Sequence, residues 1–380
     1  MPDQLYKMLR YLEEGVMKFD WIGGPPAGTK KVALLVPQYN ESGKNFHQRL
    51  DYFNRIAKEF EEELDVIIID DGSTDNSLET IKKYAISSGS SFFIASINPN
   101  ANKVGALFRT TLSISHELII LSDFDTDIIG IGELLSNSTP LEEDSALMGC
   151  YFKMLPFEGS GNVFLFQQLE YSLQRSLYKF HEKERSIRVM PGAGSCYKRQ
   201  VLTSIYHHHS GLRSGEDREA TLIGLKLGYK TFYMDNILAL TRPPLSFKAL
   251  LKQRIRWNLG YLETFHKENE YYRAQIIKFS RVGIITLTDI FIVSFIVLLP
   301  FILLSLAIRN IFYLQIFLLA VYIFYICWCF YLLFVSPNES TEFKAKRLHS
   351  ILLFPVFKIF VDYFSWMGAL FRFFFRRRRL

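Results

Sequence analysis

Apolar and polar positions along the first part of the chain predict strands that alternate with helices. Short apolar runs have the length of buried strands at residues 32–36, 66–69, 92–96 and 117–121. Apolar residues recur at helical spacing between these runs, over residues 46–63, 77–87 and 103–115. This alternation predicts an α/β fold with a mostly parallel sheet between layers of helices. Ligands of such sheets bind beyond the carboxyl ends of the strands.

The C-terminal part of the chain is far more apolar. Residues 282–308 and 311–335 each exceed the ~20 apolar residues that span a bilayer, which predicts two transmembrane helices. A third apolar stretch, at 349–375, contains Lys358 and Asp362 and precedes four arginines. If the N-terminal domain is cytoplasmic, a third crossing would place those arginines outside, against the positive-inside tendency. A helix in the cytoplasmic interface avoids this conflict and is the orientation we favour, with a third crossing as the alternative.

The N-terminus lacks the apolar segment of a secretory signal, because charges run throughout residues 1–20. We expect four parts in the chain. Residues 1–30 form an amphipathic N-terminal segment and a Gly/Pro linker, and residues 31–280 form the α/β domain with interface helices at its end. Residues 281–335 form two transmembrane helices. Residues 336–380 form a cytoplasmic loop and an amphipathic or third membrane helix with an arginine-rich tail.

Composition narrows the classes of protein. With 380 residues, 49% of them hydrophobic and 22% charged, the chain is too apolar to be disordered. Its four cysteines exclude a disulfide-stabilised secreted scaffold. The net charge of +6 is mild, and the basic residues of the tail adjoin membrane sequence rather than a folded groove. We therefore expect contact with membrane lipids and none with nucleic acid.

Polar motifs follow three of the predicted strands. PQYNE at 37–41 follows the first strand and DDGSTD at 70–75 follows the second. Carboxylates beside a glycine turn can accept hydrogen bonds from a base or ribose, although Ser, Asp and Asn also cap helices. DFD at 123–125 follows the fourth strand. Paired aspartates at this spacing suit Mg²⁺ or Mn²⁺, which prefer oxygen ligands and retain waters that diphosphate oxygens replace.

Two further motifs lie on predicted helices. GED at 215–217 opens a helix, where a carboxylate either complements the macrodipole or serves as a base. QRIRW at 253–257 places Gln253, Arg256 and Trp257 on one helical face. That face suits a diphosphate and a sugar ring, and also suits a helix on a membrane surface. The histidines at 207–209 are expected to form a solvated loop, because adjacent side chains point in different directions.

In their order and spacing, these five motifs resemble those of family 2 glycosyltransferases. The resemblance is to the membrane-integrated branch that includes cellulose, chitin, hyaluronan and poly-N-acetylglucosamine synthases, and it covers roughly residues 30–260. It implies a GT-A catalytic domain, which is Rossmann-like with a mostly parallel sheet, followed by C-terminal transmembrane helices. It also implies an integral protein of the inner cell membrane with its catalytic domain in the cytoplasm.

The resemblance assigns the donor-binding residues. Those matched to the nucleotide-diphosphate sugar are Pro37, Tyr39, Glu41, Asp70, Asp71, Lys103, Asp123, Gln253, Arg256 and Trp257. Asp71 is expected at the base. Asp123 and Asp125 match the Mg²⁺ or Mn²⁺ motif, with Asp125 as the direct ligand.

The resemblance also assigns the reaction. Asp217 matches a catalytic base that deprotonates an acceptor hydroxyl. The hydroxyl oxygen attacks from the face opposite the diphosphate, so an α-linked donor, expected to be a UDP-sugar, yields a β-linked product. The acceptor is a saccharide or a polyprenyl or other lipid-linked sugar, with Ser195, Glu216 and Trp257 as the residues expected near it. Two membrane crossings are too few to form a channel for a polysaccharide. If the enzyme extends a chain, a second copy or an export partner would therefore complete the channel.

Two alternatives stay open at this point. A haloacid-dehalogenase-type phosphatase also carries Asp-x-Asp after an apolar strand, although Asp127 then replaces the usual Thr or Val of that motif. A catalytically inactive membrane protein that binds nucleotide sugars would keep the same fold.

Overall fold

The computed structural model of the chain describes residues 17–43, 45–182, 187–211, 214–335 and 350–376. These residues fall into two compact units. The first comprises Met1–Met154 with Glu184–Thr241, and the second comprises Leu155–Lys183 with Arg242–Leu380. Residues 155–183 and 242–280, which we predicted to belong to the α/β domain, are thus grouped with the apolar C-terminal helices.

The first unit is built on one mixed sheet. Its strands, with the end of β7 running on into the second unit, are β1 (Lys18–Ile22), β2 (Val32–Gln38), β3 (Leu64–Asp70), β4 (Phe93–Asn98), β5 (Leu118–Leu121), β6 (Thr126–Ile129), β7 (Leu147–Pro156), β8 (Ser195–Lys198) and β9 (Lys230–Thr241). Among the described residues the strand order is β1-β4-β3-β2-β5-β8-β7-β9-β6. The central strands β4, β3, β2 and β5 are parallel. The expectation of an α/β fold with a mostly parallel core is therefore confirmed.

Helices follow the strands of the first unit. They are α1 (Phe46–Glu59), α2 (Ser77–Ser88), α3 (Asn102–Leu112), α4 (Ile131–Ser136), α5 (Thr139–Glu143), α7 (Arg199–His208) and α8 (Glu216–Lys226), while α6 (Asn162–Glu182) belongs to the second unit. The first three match the predicted helices within a few residues. The core between α1 and the sheet includes Leu50, Phe53, Val66 and Ile68, each at most 1% exposed. Burial of these aliphatic and aromatic side chains drives the layers together.

Parts of the sheet were not predicted from the sequence. Strand β1 lies inside the range assigned to the N-terminal segment and linker, and it pairs antiparallel with β4. The predicted amphipathic helix falls on residues 1–16, which lie outside the described residues. Strands β8 and β9 pair antiparallel with β5 and β6, respectively. Their short or irregular apolar runs lack the simple periodicity that identified the parallel strands.

The second unit consists of long helices. These are α6, α9 (Phe247–Lys267), α10 (Asn269–Ile277), α11 (Arg281–Arg309), α12 (Ile311–Val335) and α13 (Phe354–Arg376). Within the described residues, α11, α12 and α13 are long and apolar enough to cross a membrane. The chain is accordingly a membrane protein, and the two spans predicted at 282–308 and 311–335 coincide with α11 and α12.

Helix α13 packs beside α9 for most of its length. Asn258 donates to the Ser365 hydroxyl at 2.9 Å, and the rings of Tyr261 and Trp366 lie 5.7 Å apart. Residue numbers increase together along the two helices at these contacts, so α13 and α9 run in the same direction. The opposite side of α13 exposes a stripe of apolar side chains, formed by Val356, Phe360, Phe364, Met367, Phe371 and Phe374.

Arg49 ties helix α1 to the turn between β5 and β6. Its guanidinium pairs with Asp127 and donates to the carbonyl oxygens of Phe124 at 2.6 Å and Thr126 at 2.9 Å. The side chain of Arg49 is 7% exposed and that of Asp127 is 14% exposed. The pair therefore fixes the turn that carries the aspartate motif.

We expect Arg49→Met to lower the free energy of unfolding by about 3–5 kcal/mol, because it removes the buried guanidinium that pairs with the largely buried Asp127 carboxylate. Thermal unfolding of the detergent-solubilised protein measures the loss. Asp127→Asn in the Arg49→Met background should recover part of it. Arg55→Met, on the exposed side of the same helix, is the matched control and should change stability by about 0.5 kcal/mol or less. Equal losses in the two arginine variants would contradict the role of the buried pair.

Candidate active site

The first two predicted motifs are bound to each other beyond the ends of β2 and β3. Asn40 accepts at its side-chain oxygen from the backbone N–H of Thr74 at 2.8 Å and of Asp75 at 3.2 Å. Ser42 donates its hydroxyl to Asp75 at 2.7 Å. Parallel strands end at the same edge of the sheet, which is why motifs more than 30 residues apart in sequence meet here.

Asp70 and Asp71 are both buried and hold this edge together. Asp70 accepts from Gln38 and, at 3.2 Å, from the backbone of Ser73, while burial raises its pKa above the usual range. Asp71 accepts from Ala101 N–H at 2.6 Å and from Asn100 at 2.9 Å. Asp71 thus anchors the turn before α3, and its predicted contact with the base stays a prediction.

Gly72 makes the turn after β3 possible. Its φ of +68° lies in the left-handed region, and a Cβ there would come within 2.7 Å of the Asn100 backbone nitrogen. Pro37 is half-buried at the end of β2, and Tyr39 follows it on the surface with 46% of its area exposed. An exposed aromatic ring beside a tight polar turn is available for stacking on a flat ligand.

Glu41 faces the aspartate motif. Partial burial raises the pKa of Glu41, and the negative charges of Asp125 and Asp123 raise it further. Burial likewise raises the pKa of Asp125 to about 6, with the adjacent charge of Asp123 adding to the effect. These side chains, which come from two different strand ends, therefore share one electrostatic environment.

Lys103, at the start of α3, pairs with Asp123 and donates to the Gly192 carbonyl oxygen at 3.3 Å. Burial alone would lower the pKa of Lys103. The charges of Asp123, Glu216 and Asp217 outweigh burial and hold that pKa above its usual range. Lys103 thus lies between the aspartate motif and the Glu-Asp motif.

Asp217 stands in the first turn of α8, after Gly215 in the left-handed conformation. Burial raises the pKa of Asp217 to about 6, and the neighbouring charge of Glu216 contributes to the rise. The loop before β8 runs against this carboxylate: a Cβ on Gly192 would lie 3.1 Å from the Lys103 ammonium and 3.5 Å from the Asp217 Cβ. The structure brings the predicted base, Lys103 and the loop that leads to Ser195 close together.

Ser195 does not face this space. It is fully buried, and its hydroxyl donates to the Pro191 carbonyl oxygen at 2.9 Å. Its predicted contact with an acceptor is therefore not supported, because the hydroxyl is used to close the loop at 190–195. The conformation of that loop is also fixed by the Thr221 hydroxyl, which accepts from Met190 N–H at 2.8 Å and donates to the Asp217 carbonyl oxygen at 2.7 Å.

The histidine run was predicted incorrectly as a solvated loop. His207 and His208 complete α7, while His209 is 3% exposed. The Nδ1 of His209 accepts from Gly211 N–H at 2.8 Å, so its Nε2 carries the proton and donates to the Glu216 carbonyl oxygen at 2.9 Å. His209 therefore steadies the segment that leads into Asp217.

The aspartate pair fits a divalent cation. Among the residues the structure describes, no group of three or more His, Cys, Asp and Glu could hold a metal. Two carboxylates would nevertheless suffice for an ion that keeps waters and takes diphosphate oxygens as further ligands. Asp123 pairs with Lys103, while burial raises the pKa of Asp125 and the adjacent charge of Asp123 adds to the rise. The assignment of Asp125 as the direct ligand stays a prediction.

The fifth motif lies on α9 in the second unit. Arg256 is exposed, Trp257 is 37% exposed and Gln253 is half-buried. Their predicted contact with the donor stays a prediction. Arg254, which was not singled out from the sequence, is the buried arginine of the motif and pairs with Glu170. Its signal was present, because Arg254 falls on the buried stripe of α9 between Leu250 and Leu259.

Comparison with known proteins identifies the family. The profile of "Glycosyl transferase family 2" matches residues 33–205, and that of "Glycosyl transferase family group 2" matches residues 150–336. An N-acetylglucosaminyltransferase of Azorhizobium caulinodans is 26% identical over 243 residues, which is 60% of this chain and 59% of that protein. One from Rhizobium meliloti is 26% identical over 60% of this chain and 54% of its own length. The chain thus spans little more than half the length of these relatives.

A solved structure shares the fold. The mannosyltransferase PcManGT of Pyrobaculum calidifontis, solved with GDP-Man and Mn²⁺, aligns over 98% of this chain and 94% of its own, with a TM-score of 0.51 and 14% identity. At that identity the likeness concerns the fold alone. Three observations lead to the same family: the two matching profiles, the sheet with polar motifs at its strand ends, and the apolar C-terminal helices. The chain therefore belongs to glycosyltransferase family 2, with a GT-A domain followed by membrane helices.

Proposed function

We propose that the chain is an inverting glycosyltransferase, which moves a sugar from a nucleotide-diphosphate sugar to a hydroxyl of a saccharide or lipid-linked acceptor. The arrangement of Asp217, Lys103 and Asp123 carries the proposal. Asp217 is a carboxylate of raised pKa at the start of helix α8. Lys103 lies near Asp217 and pairs with Asp123, so this one lysine connects the carboxylate to the motif at the strand end. A carboxylate whose pKa lies near 6 is ionised at neutral pH and basic enough to accept a proton as a new bond forms.

The chemistry follows from this arrangement. Asp217 accepts the proton of the acceptor hydroxyl while that oxygen forms a bond to the anomeric carbon. The bond from the anomeric carbon to the diphosphate breaks, and its electron pair leaves with the nucleoside diphosphate. Attack comes from the face opposite the leaving group, so an α-linked donor gives a β-linked product. Lys103 would stabilise negative charge on the diphosphate.

The strand-end loops would hold the donor. Pro37, Tyr39 and Asp71 line the edge at which we place the base and ribose. Asp125, with Asp123, would hold Mg²⁺ or Mn²⁺, which when bound supplies positive charge to the diphosphate. We propose UDP-N-acetylglucosamine as the donor, because the relatives that match the chain carry the name N-acetylglucosaminyltransferase. An aspartate can also accept from uracil N3, although PcManGT was solved with GDP-Man.

Membership of family 2 argues against the phosphatase alternative, and the raised pKa of Asp217 argues against an inactive binding protein.

A screen of radiolabelled nucleotide sugars against the detergent-solubilised enzyme, with mass analysis of the product, tests the donor and the acceptor together. Incorporation from UDP-N-acetylglucosamine is expected. Incorporation from GDP-mannose alone would contradict the donor proposed here.

We place the GT-A domain at the cytoplasmic face of the inner membrane, with α13 in the lipid interface. Helix α9 beside α13 carries charged residues along its length and is too polar to cross a bilayer. A helix that runs alongside α9 lies at the same depth, and its exposed phenylalanines would then enter the lipid.

Asp217→Asn is expected to slow sugar transfer by about 10²–10⁴-fold, or about 3–5 kcal/mol in the barrier, because the amide cannot accept the proton. Radiolabel transfer at saturating donor measures the rate, and calorimetry with UDP should give binding close to that of the native enzyme. Glu79→Gln, which removes an exposed acid from the first turn of α2, is the control and should keep full activity. Near-normal transfer by Asp217→Asn would exclude Asp217 as the base.

The pH profile should reflect the pKa of Asp217, which is raised to about 6. Protonated Asp217 cannot act as a base, so kcat/KM should rise with pH up to about 6 and level off above it. Glu216→Gln removes a charge that raises this pKa, so the acid limb should move to lower pH. Rates measured from pH 4.5 to 8 for both enzymes test this. An acid limb that stays in place in Glu216→Gln would assign the titration to another group.

Cysteine labelling in sealed membrane vesicles distinguishes an interfacial α13 from a spanning one. In a variant without the four native cysteines, Leu353→Cys and Arg372→Cys mark the two ends of the helix at exposed positions outside its apolar stripe. An impermeant maleimide should reach both from the same side, whereas Ile311→Cys, at the turn between α11 and α12, should react from the other side. Reaction of Leu353→Cys and Arg372→Cys from opposite sides would show that α13 crosses the bilayer.

A further inference from the structure

A cluster of four charged side chains lies among the helices of the second unit, and two of the four, Glu170 and Arg254, are buried. Glu170 on α6 pairs with Arg254 on α9, and the second oxygen of Glu170 accepts from Lys358 on α13 at 3.3 Å. Lys358 also pairs with Asp362 at 2.7 Å. The side chains of Glu170 and Arg254 are only 6% and 7% exposed. Two acids and two bases thus connect three helices that are far apart in sequence.

Glu170 is the centre of this cluster. Burial alone would raise the pKa of Glu170, but the charges of Arg254 and Lys358 outweigh burial and hold it below the usual range. The carboxylate is therefore ionised and shared by two cations from different helices. Neutral Glu170 would leave Arg254 buried without its counter-charge.

Arg254 belongs both to this cluster and to the QRIRW motif, where it contacts Trp257 and Gln253. Its guanidinium carbon lies 4.0 Å from the centroid of the Trp257 ring, and its Nη1 donates to the Gln253 side-chain oxygen at 3.0 Å. A planar guanidinium held from behind by a carboxylate restricts the orientation of the indole it covers. It also fixes which end of the Gln253 amide points away from Arg254.

Packing alone does not call for these charges. Arg254 lies between Leu250 and Leu259 on the buried stripe of α9, where a leucine would fill the space without any need for Glu170. What a leucine would not provide is a flat cation against Trp257 and a donor to Gln253. The cluster therefore gives the motif an orientation that an apolar core would leave free.

We propose that Glu170 is a positioning residue for sugar transfer: through Arg254 it sets the orientation of Trp257 and Gln253, and through Lys358 it links that orientation to helix α13. The inference rests on the proposed function and on the roles that the family resemblance gives Gln253 at the donor and Trp257 at the donor and the acceptor. Glu170 itself contacts neither substrate. Its effect is expected in the rate of the transfer step rather than in binding of the nucleotide.

The test uses the full chain in detergent and compares Glu170→Gln with Glu170→Asp. Glu170→Gln should lower kcat for UDP-N-acetylglucosamine by about tenfold to a hundredfold, with the Kd for UDP within about threefold of the native value. Glu170→Asp keeps the charge and should recover part of kcat. The matched control is Asp65→Asn, since Asp65 is a buried acid of the first unit, paired with Lys30 at 2.9 Å and with His116 at 2.8 Å. It should lower the melting temperature while kcat stays near the native value.

A second readout does not depend on turnover. With Trp21, Trp328 and Trp366 replaced by phenylalanine, Trp257 is the remaining tryptophan of the chain. Acrylamide quenching of its fluorescence should increase in Glu170→Gln, because the indole is released from Arg254, and should return toward the native value in Glu170→Asp. The control Asp65→Asn should leave the quenching unchanged.

The outcomes separate this inference from the proposed function. If the native enzyme transfers sugar and Trp257→Ala slows it, but Glu170→Gln retains kcat and quenching, the positioning role is wrong while the proposed function holds. Loss of stability in Glu170→Gln without a change in kcat would likewise overturn the role. If the native chain transfers no sugar from any nucleotide donor, the proposed function fails, and unchanged quenching in Glu170→Gln would then reject the orientation of Trp257 by the cluster as well.

Discussion

Negative charge gathered at one edge of the sheet is the constraint on which the first unit depends. Glu41, Asp123 and Asp125 repel one another, and Asp217 stands at the start of α8 with Glu216 beside it. Lys103 lies between the two groups and pairs with Asp123. Such an arrangement costs stability unless a ligand and a cation complete the balance of charge. The gathered negative charge suits a divalent cation, and in the proposed function a diphosphate would bind at this edge through that cation.

The surrounding structure keeps these charges in place. Arg49 neutralises Asp127 and fixes the turn of the aspartate motif, while Asn40 binds the first two loops together. In the second unit, Glu170 and Arg254 use the same principle, since a buried ion pair orients the residues beside it. In each unit, charged side chains that do not contact substrate determine the orientation of those expected to do so.

Much of the catalytic domain could be predicted from the sequence, because parallel strands are continuous apolar runs and their polar motifs follow at once. Edge strand β1 and the antiparallel strands escaped prediction, since their pairing depends on partners distant in the chain. The ion pairs of Arg49 and Arg254 were missed for the same reason, because their partners lie 78 and 84 residues away in sequence. The burial of Ser195 was not foreseen, because a run of small residues does not reveal which hydroxyl turns inward, and that of His209 was missed because it depends on packing against α8.

The most direct test of the acidic edge as the donor site is electron paramagnetic resonance of Mn²⁺ added to the enzyme with UDP. A cation held by Asp125 and by the diphosphate should show hyperfine coupling to ³¹P. We expect this coupling in the native enzyme and its loss in Asp125→Asn. The melting temperatures of the two proteins should be similar, which would show that the variant keeps the fold. Bound Mn²⁺ without ³¹P coupling, or coupling of equal strength in Asp125→Asn, would contradict the account.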